Sequence, residues 1–259
     1  MAGLRSIVQR LRPKPRPIPD AHWRAALRTT PYARAQPLQE RQRLRALTAQ
    51  FLRAKTFEPA AGIAITEAMR VCIALRACVP ILHLGLDYYS GWSAIVLYPG
   101  DFRVRDTYMD EAGVEHHEIQ DLCGQSMARG PMVLSWETIR AENPARGQDL
   151  VVHECAHKLD ALNGAPDGFP PLHPDMQPRE WGRAFRAAYD RLRSEVDAGR
   201  GTRLDPYAAA DPAEFFAVLS ETFFTAPQLV YRDFPAVYDQ LRLFYRQDPY
   251  GVIPTARRP

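Results

Sequence analysis

The chain has 259 residues, 46% of them hydrophobic and 24% charged, the balance of a globular protein long enough for an ordinary core. Its net charge is +3, from 33 basic and 30 acidic residues, too weak to argue for direct nucleic-acid binding. Only Lys14, Lys55 and Lys158 of those 33 are lysines, which reads as compositional bias rather than an anion-binding surface. Cys72, Cys78, Cys123 and Cys155 form no CxxC pair and no disulfide framework. No segment reads as a secretory leader or a membrane span, so a cytoplasmic protein with reduced thiols is expected.

Residues 1–19 read as a basic, proline-rich tail: Pro13, Pro15, Pro17 and Pro19 alternate with other residues and disfavour helix. The remainder, 20–259, reads as a single domain. From His22 to Lys55 the pattern is helical, with Leu44, Leu47 and Phe51 on one stripe. Thr66 is a good N-cap for a second helix ending near Cys78, before Pro80. Trp92–Tyr98 reads as a strand, Phe102–Met109 and Val114–Asp121 as a hairpin around Asp110–Gly113, and Pro131–Trp136 as another short strand. These segments predict a small, largely antiparallel sheet within a mainly helical α+β fold.

After Gly147 the chain turns helical: Asp149–Leu162, stopped at Asn163-Gly164, then Glu180–Val196 after a proline-rich loop, Asp211–Phe224, and Pro235–Arg246. The first of these carries His153-Glu154-Cys155-Ala156-His157, an HExxH motif. On a helix, residues four apart lie on one face, so His153 and His157 can grip one zinc ion. Glu154 sits about 100° round the helix. From there it can take a proton from water activated at the metal. The strand Pro131–Trp136 precedes this helix as an active-site edge strand would.

A catalytic zinc needs a third protein ligand. No third histidine follows at close spacing; the candidates lie downstream on another helix, as in gluzincins, where a glutamate completes the site. Glu214 and Glu221 share one face of a later helix, and spacing alone does not choose between them. Asp211 as N-cap, Pro212 and Glu214 also read as a capping-box start, which accounts for Glu214 without a metal. Asp160, three residues past His157, is either an orienting partner for a histidine or a solvated carboxylate. Cys155 points away from the histidine pair and reads as a neutral buried thiol. His22, His83, His116, His117 and His173 lack ligand spacing with the motif.

HECAHKLDALNG (153–164) with LDPYAAADPAEFFAVLSETFF (204–224) resembles the Mlc titration factor A family of bacterial zinc peptidases. LYPGDF (97–102), GQSMARGPMVLSW (124–136), TEAMRVCIALRACVPILHLGL (66–86) and FYRQDP (244–249) add to the likeness, which covers roughly residues 35–250 and not the basic tail. The resemblance implies a gluzincin-type zincin core similar to that of anthrax lethal factor. It implies zinc held by His153, His157 and Glu214, with Glu154 as general base. It also places Tyr207 where a tyrosine stabilises the oxyanion. It further implies aminopeptidase-like action on a peptide substrate, and binding to the Mlc glucose-transport repressor. The alternative is a regulatory module in which sequestering that repressor, not proteolysis, is the main role.

Overall fold

The computed structural model describes residues 17–109, 115–122, 124–126 and 130–253. Nearly all of the expected tail, residues 1–16, therefore lies outside the described residues, as does the hairpin turn Asp110–Gly113. The segment taken as tail ends earlier than expected. Ile18 is buried in the core, and its carbonyl accepts a hydrogen bond from the Arg45 guanidinium at 2.5 Å.

Prolines divide the long N-terminal helical stretch. It forms α1 (Asp20–Thr29), α2 (Pro31–Ala35) and α3 (Leu38–Ala54), because Pro31 and Pro37 cannot continue a preceding helix. Leu44, Leu47 and Phe51 of α3 are buried, as their stripe predicts. Then come β1 (Thr56–Pro59) and α4 (Glu67–Cys78). Thr66 caps α4 by accepting from the Met69 amide at 3.2 Å.

The strands are β2 (Ala94–Tyr98), β3 (Phe102–Met109), β4 (Glu115–Leu122), β5 (Gly124–Ser126) and β6 (Met132–Ser135). The hairpin forms as expected, with β3 antiparallel to β4 and Met109 opposite Glu115, but it stands apart as a two-stranded ribbon. The main sheet runs β1-β2-β6-β5 and corrects the antiparallel expectation: β1, β2 and β6 are parallel. Parallel neighbours need crossovers, and the chain supplies them as α4 between β1 and β2 and as the hairpin excursion between β2 and β6. Only β5 is antiparallel, against β6. A second correction follows. The strand read as the active-site edge, β6, is interior, and the edge on that side is β5.

Beyond the sheet lie α5 (Trp136–Ala141), α6 (Leu150–Asp160), α7 (Pro178–Asp197), α8 (Pro212–Thr225), α9 (Pro227–Asp233), α10 (Pro235–Tyr245) and α11 (Pro249–Val252). Each helix from α7 onward begins on a proline, whose fixed φ suits the first turn and whose missing N–H is not needed there. Helix α6 is apolar on most sides, with Val151, Cys155, Ala156 and Leu159 fully buried. It packs against α8, β5 and α4, so the HExxH segment lies in the middle of the molecule.

The start of α6 is held by charge. Asp149 caps it, accepting from the Val152 amide at 3.1 Å, and Glu142 accepts from the Leu150 amide at 2.5 Å. The buried Arg76 guanidinium of α4 binds Glu142 and lies 3.8 Å from Asp149. Removing Arg76 would leave two buried carboxylates without their cation. Arg76→Leu is therefore expected to cost about 3–5 kcal/mol of folding stability in urea unfolding.

Two of the three lysines share one buried place. Lys55 Nζ lies 3.8 Å from the centre of the Trp92 ring and donates to the carbonyls of Tyr89 and Trp92. Lys158 Nζ lies 5.4 Å from the same ring and donates to the Gly130 carbonyl at 2.8 Å. Burial lowers both amines to about 8. A compact ammonium reaches such carbonyls where a planar guanidinium does not fit as readily, a physical reason for lysine in an arginine-biased chain. Among the described residues no helix is long and apolar enough to cross a membrane.

Candidate metal centre

Helices α6 and α8 bring the candidate ligands together. His153 and His157 are one turn apart on α6, and their Nε2 atoms lie 3.2 Å from each other. Glu214 enters from the first turn of α8, with Oε2 3.1 Å from His153 Nε2 and Oε1 3.4 Å from His157 Nε2. Ligand atoms about 2.0–2.1 Å from a tetrahedral ion sit roughly 3.3–3.4 Å apart. The donor set thus has nearly the spacing of a bound ion. The two Glu214 oxygens are each turned to one imidazole nitrogen, an arrangement that fits a cation held between the three side chains.

The capping account of Glu214 holds for its backbone and not for its side chain. Asp211 does cap α8, but the donor is the Glu214 amide, at 2.9 Å. The Glu214 side chain does not return to the cap; its oxygens face the histidines. Burial works against its charge, and the histidine contacts outweigh it, holding the carboxyl far below the usual range.

Glu221, the competing carboxylate, stands two turns further along α8 on the far side of His153. Its Oε2 lies 3.9 Å from His153 Nδ1 and accepts from the Asp149 amide at 3.3 Å. It backs the first histidine, while Glu214 faces the point where the two Nε2 atoms converge. Burial favours a neutral His153, but Glu214 and Glu221 together reverse this and raise its pKa well above the ordinary value.

Glu154 is 3% exposed, and Oε2 has no hydrogen-bond partner among the described residues. Burial raises its pKa, while His153 and His157 oppose the rise. A buried carboxyl moved toward neutrality, beside the two histidines, is suited to accepting and returning a proton. Tyr207 sits on a 3-10 turn, Pro206–Ala209, whose cap Asp205 accepts from the Tyr207 amide at 2.9 Å. The ring is half-exposed, and burial, then the Glu214 carboxylate, raises the phenol's pKa.

The remaining residues fall as follows. Cys155 is fully buried, its thiol pushed up to about 12 by burial, and it takes no part in the His153–His157–Glu214 cluster. Asp160 corrects both expectations for it: it is neither solvated nor bonded to a histidine, but accepts from the Gly168 amide at 2.8 Å. His22 lies 3.9 Å from Glu67, His83 lies 3.6 Å from Glu40, and His173 bonds to the Phe244 carbonyl at 2.8 Å, all away from the centre. Nothing in the spacing singled out the Arg76–Glu142–Asp149 anchor; its one legible sign was an arginine inside an apolar helix.

Two histidines of one helix turn, a glutamate from a second helix and a buried glutamate beside them make a candidate metal centre of the HExxH-plus-glutamate kind. The chain belongs to the family described as glucose-regulated metallo-peptidase M90, which it matches over residues 5–246. Mlc titration factor A of Klebsiella pneumoniae (strain 342) is 39% identical over 229 residues, 88% of this chain and 86% of that one. The protein of the same name from Edwardsiella ictaluri (strain 93-146) is 41% identical over 213 residues, 81% of each chain. That from Escherichia fergusonii is 38% identical over 229 residues, 88% and 86% of the two. Membership of a metallo-peptidase family implies a metal ion, and His153, His157 and Glu214 fit one. The family match starts at residue 5, so it takes in most of the basic segment that the motif resemblance leaves out.

Proposed function

We propose that the chain is a zinc-dependent peptidase of the cytoplasm, acting on peptides in an aminopeptidase-like manner, with zinc held by His153, His157 and Glu214. The convergence of two imidazole nitrogens and the two Glu214 oxygens at 3.1–3.4 Å, beside a buried Glu154 oxygen without a hydrogen-bond partner among the described residues, carries this reading. Zinc bound there would lower the pKa of a water molecule and polarise the substrate carbonyl. Glu154 takes the water proton on its carboxylate and passes it to the leaving amine. Its place on α6 beside both histidines suits both halves of that transfer. Tyr207 donates its phenolic hydrogen to the developing oxyanion, a hydrogen that a phenol keeps at neutral pH. Strand β5 supports substrate alignment. It is the sheet edge on that side, it contacts α6, and an extended peptide can add to such an edge through backbone hydrogen bonds.

The test is metal analysis of the purified chain together with hydrolysis of amino-acid anilides and short peptides. About one zinc per chain and activity lost to a chelator and restored by zinc are expected; a metal-free, equally active protein would refute the reading. Tyr207→Phe is expected to lower kcat about 10²–10³-fold with little change in KM.

The name shared by the relatives favours a second activity, binding of a Mlc-type repressor. Retention of such a repressor by the Glu154→Gln variant in a pull-down would show that binding does not require hydrolysis.

A further inference from the structure

Three elements close on the backbone of Gly168, in the proline-rich loop between α6 and α7. Its N–H donates to Asp160 Oδ2 at 2.8 Å, and Asp160 ends α6 three residues after His157. Its carbonyl accepts from Trp181 Nε1 at 3.1 Å; Trp181, on α7, is fully buried and stacks on Phe185 at 4.2 Å. Its Cα abuts α8, where a Cβ would lie 2.4 Å from the Pro212 carbonyl oxygen and 3.0 Å from its carbonyl carbon. Pro212 opens α8, two residues before Glu214. Gly168 also has φ +78°, in the left-handed region, so glycine is required both for space and for conformation.

Asp160 completes the arrangement. It is fully buried, and its Oδ1 has no hydrogen-bond partner among the described residues. A buried carboxyl with one oxygen unsatisfied costs more than an apolar side chain of similar size. What it obtains is the N–H of a residue whose carbonyl is bonded from α7 and whose Cα abuts α8.

We infer that Gly168 and Asp160 form a clasp that fixes the end of α6 against the first turn of α8, and so sets the separation of His157 and Glu214. Both are positioning residues, since neither touches the metal point or a substrate. The inference rests on the metal reading above. Metal–ligand distances tolerate only about 0.2 Å of error. A methyl group at position 168 would meet the Pro212 carbonyl oxygen at 2.4 Å, so the loop and the first turn of α8 cannot both keep their places.

The experiment is a Co²⁺ titration followed by visible absorption, on the full chain and on Gly168→Ala, Asp160→Leu and Asp160→Asn. Gly168→Ala and Asp160→Leu are expected to bind Co²⁺ roughly 10–100-fold more weakly, with shifted absorption bands. Asp160→Asn keeps an oxygen for the Gly168 amide and should stay close to wild type. Thermal unfolding of the metal-free proteins separates this loss from unfolding, and the Asp160 pair decides the matter if Gly168→Ala does not fold. Wild-type affinity and bands in folded Gly168→Ala and Asp160→Leu would overturn the clasp, as would an Asp160→Asn no better than Asp160→Leu. Should the wild-type chain take up no Co²⁺, the metal reading fails by itself. The clasp is then judged by amide exchange in the metal-free protein. Faster exchange at Gly168 and Phe215 in Asp160→Leu supports it, and unchanged exchange overturns it.

Discussion

Glu154→Gln is expected to lower kcat for peptide hydrolysis by about 10²–10⁴-fold while leaving one metal ion per chain. The substitution preserves shape and the place on α6 between the two histidines, so His153, His157 and Glu214 keep their spacing. It removes the capacity to accept a proton, because an amide has no basic lone pair of comparable strength. The buried setting sharpens the result: Glu154 is 3% exposed, so bulk water is poorly placed to replace it as base. The pH profile adds a second readout. The lower limb of kcat/KM in the wild-type chain should follow the ionisation of Glu154, whose pKa burial raises, and activity should rise as pH climbs through it. In Glu154→Gln that limb should disappear. An equally active variant, or one that has lost its metal, would remove Glu154 from the role of general base.

Local rules made much of this fold legible. Thr66, Asp149 and Asp211 announce helix starts, and each accepts the cap hydrogen bond expected of it. Helix spacing alone brings His153 and His157 onto one face. Sheet direction was not legible, because Ala94–Tyr98 and Met132–Ser135 pattern alike in either sense, and the turn signal nearby belongs to a separate hairpin. Short partners such as β1 and β5 carry too few residues for a pattern. Asp160 shows the same limit in a side chain. Its distance from His157 invites a histidine partner, yet its actual donor, Gly168, is fixed by how the loop folds back over two helices. Glu221 was legible as a carboxylate on the right face but not as a neighbour of Nδ1 rather than of the metal point, since that depends on how far along α8 the histidines lie.

That last distinction yields a pair of opposite outcomes. Glu214→Ala is expected to abolish tight metal binding, because it removes the only carboxylate facing both Nε2 atoms among the described residues, at 3.1 and 3.4 Å. A two-histidine site lacks the third protein ligand and the negative charge that offsets a divalent cation. Glu221→Ala should keep the metal with a loss of about 10-fold, toward the lower end of the effect of outer partners of metal-bound histidines. The small size follows from geometry. At 3.9 Å from His153 Nδ1, Glu221 is beyond hydrogen-bond length and acts through charge, while its closer contact is the Asp149 amide at 3.3 Å. Competition with a chromogenic chelator measures both variants on one scale. Should Glu221→Ala lose the metal while Glu214→Ala retains it, the third ligand belongs to Glu221, and His153 would have to present Nδ1 rather than Nε2 to the ion.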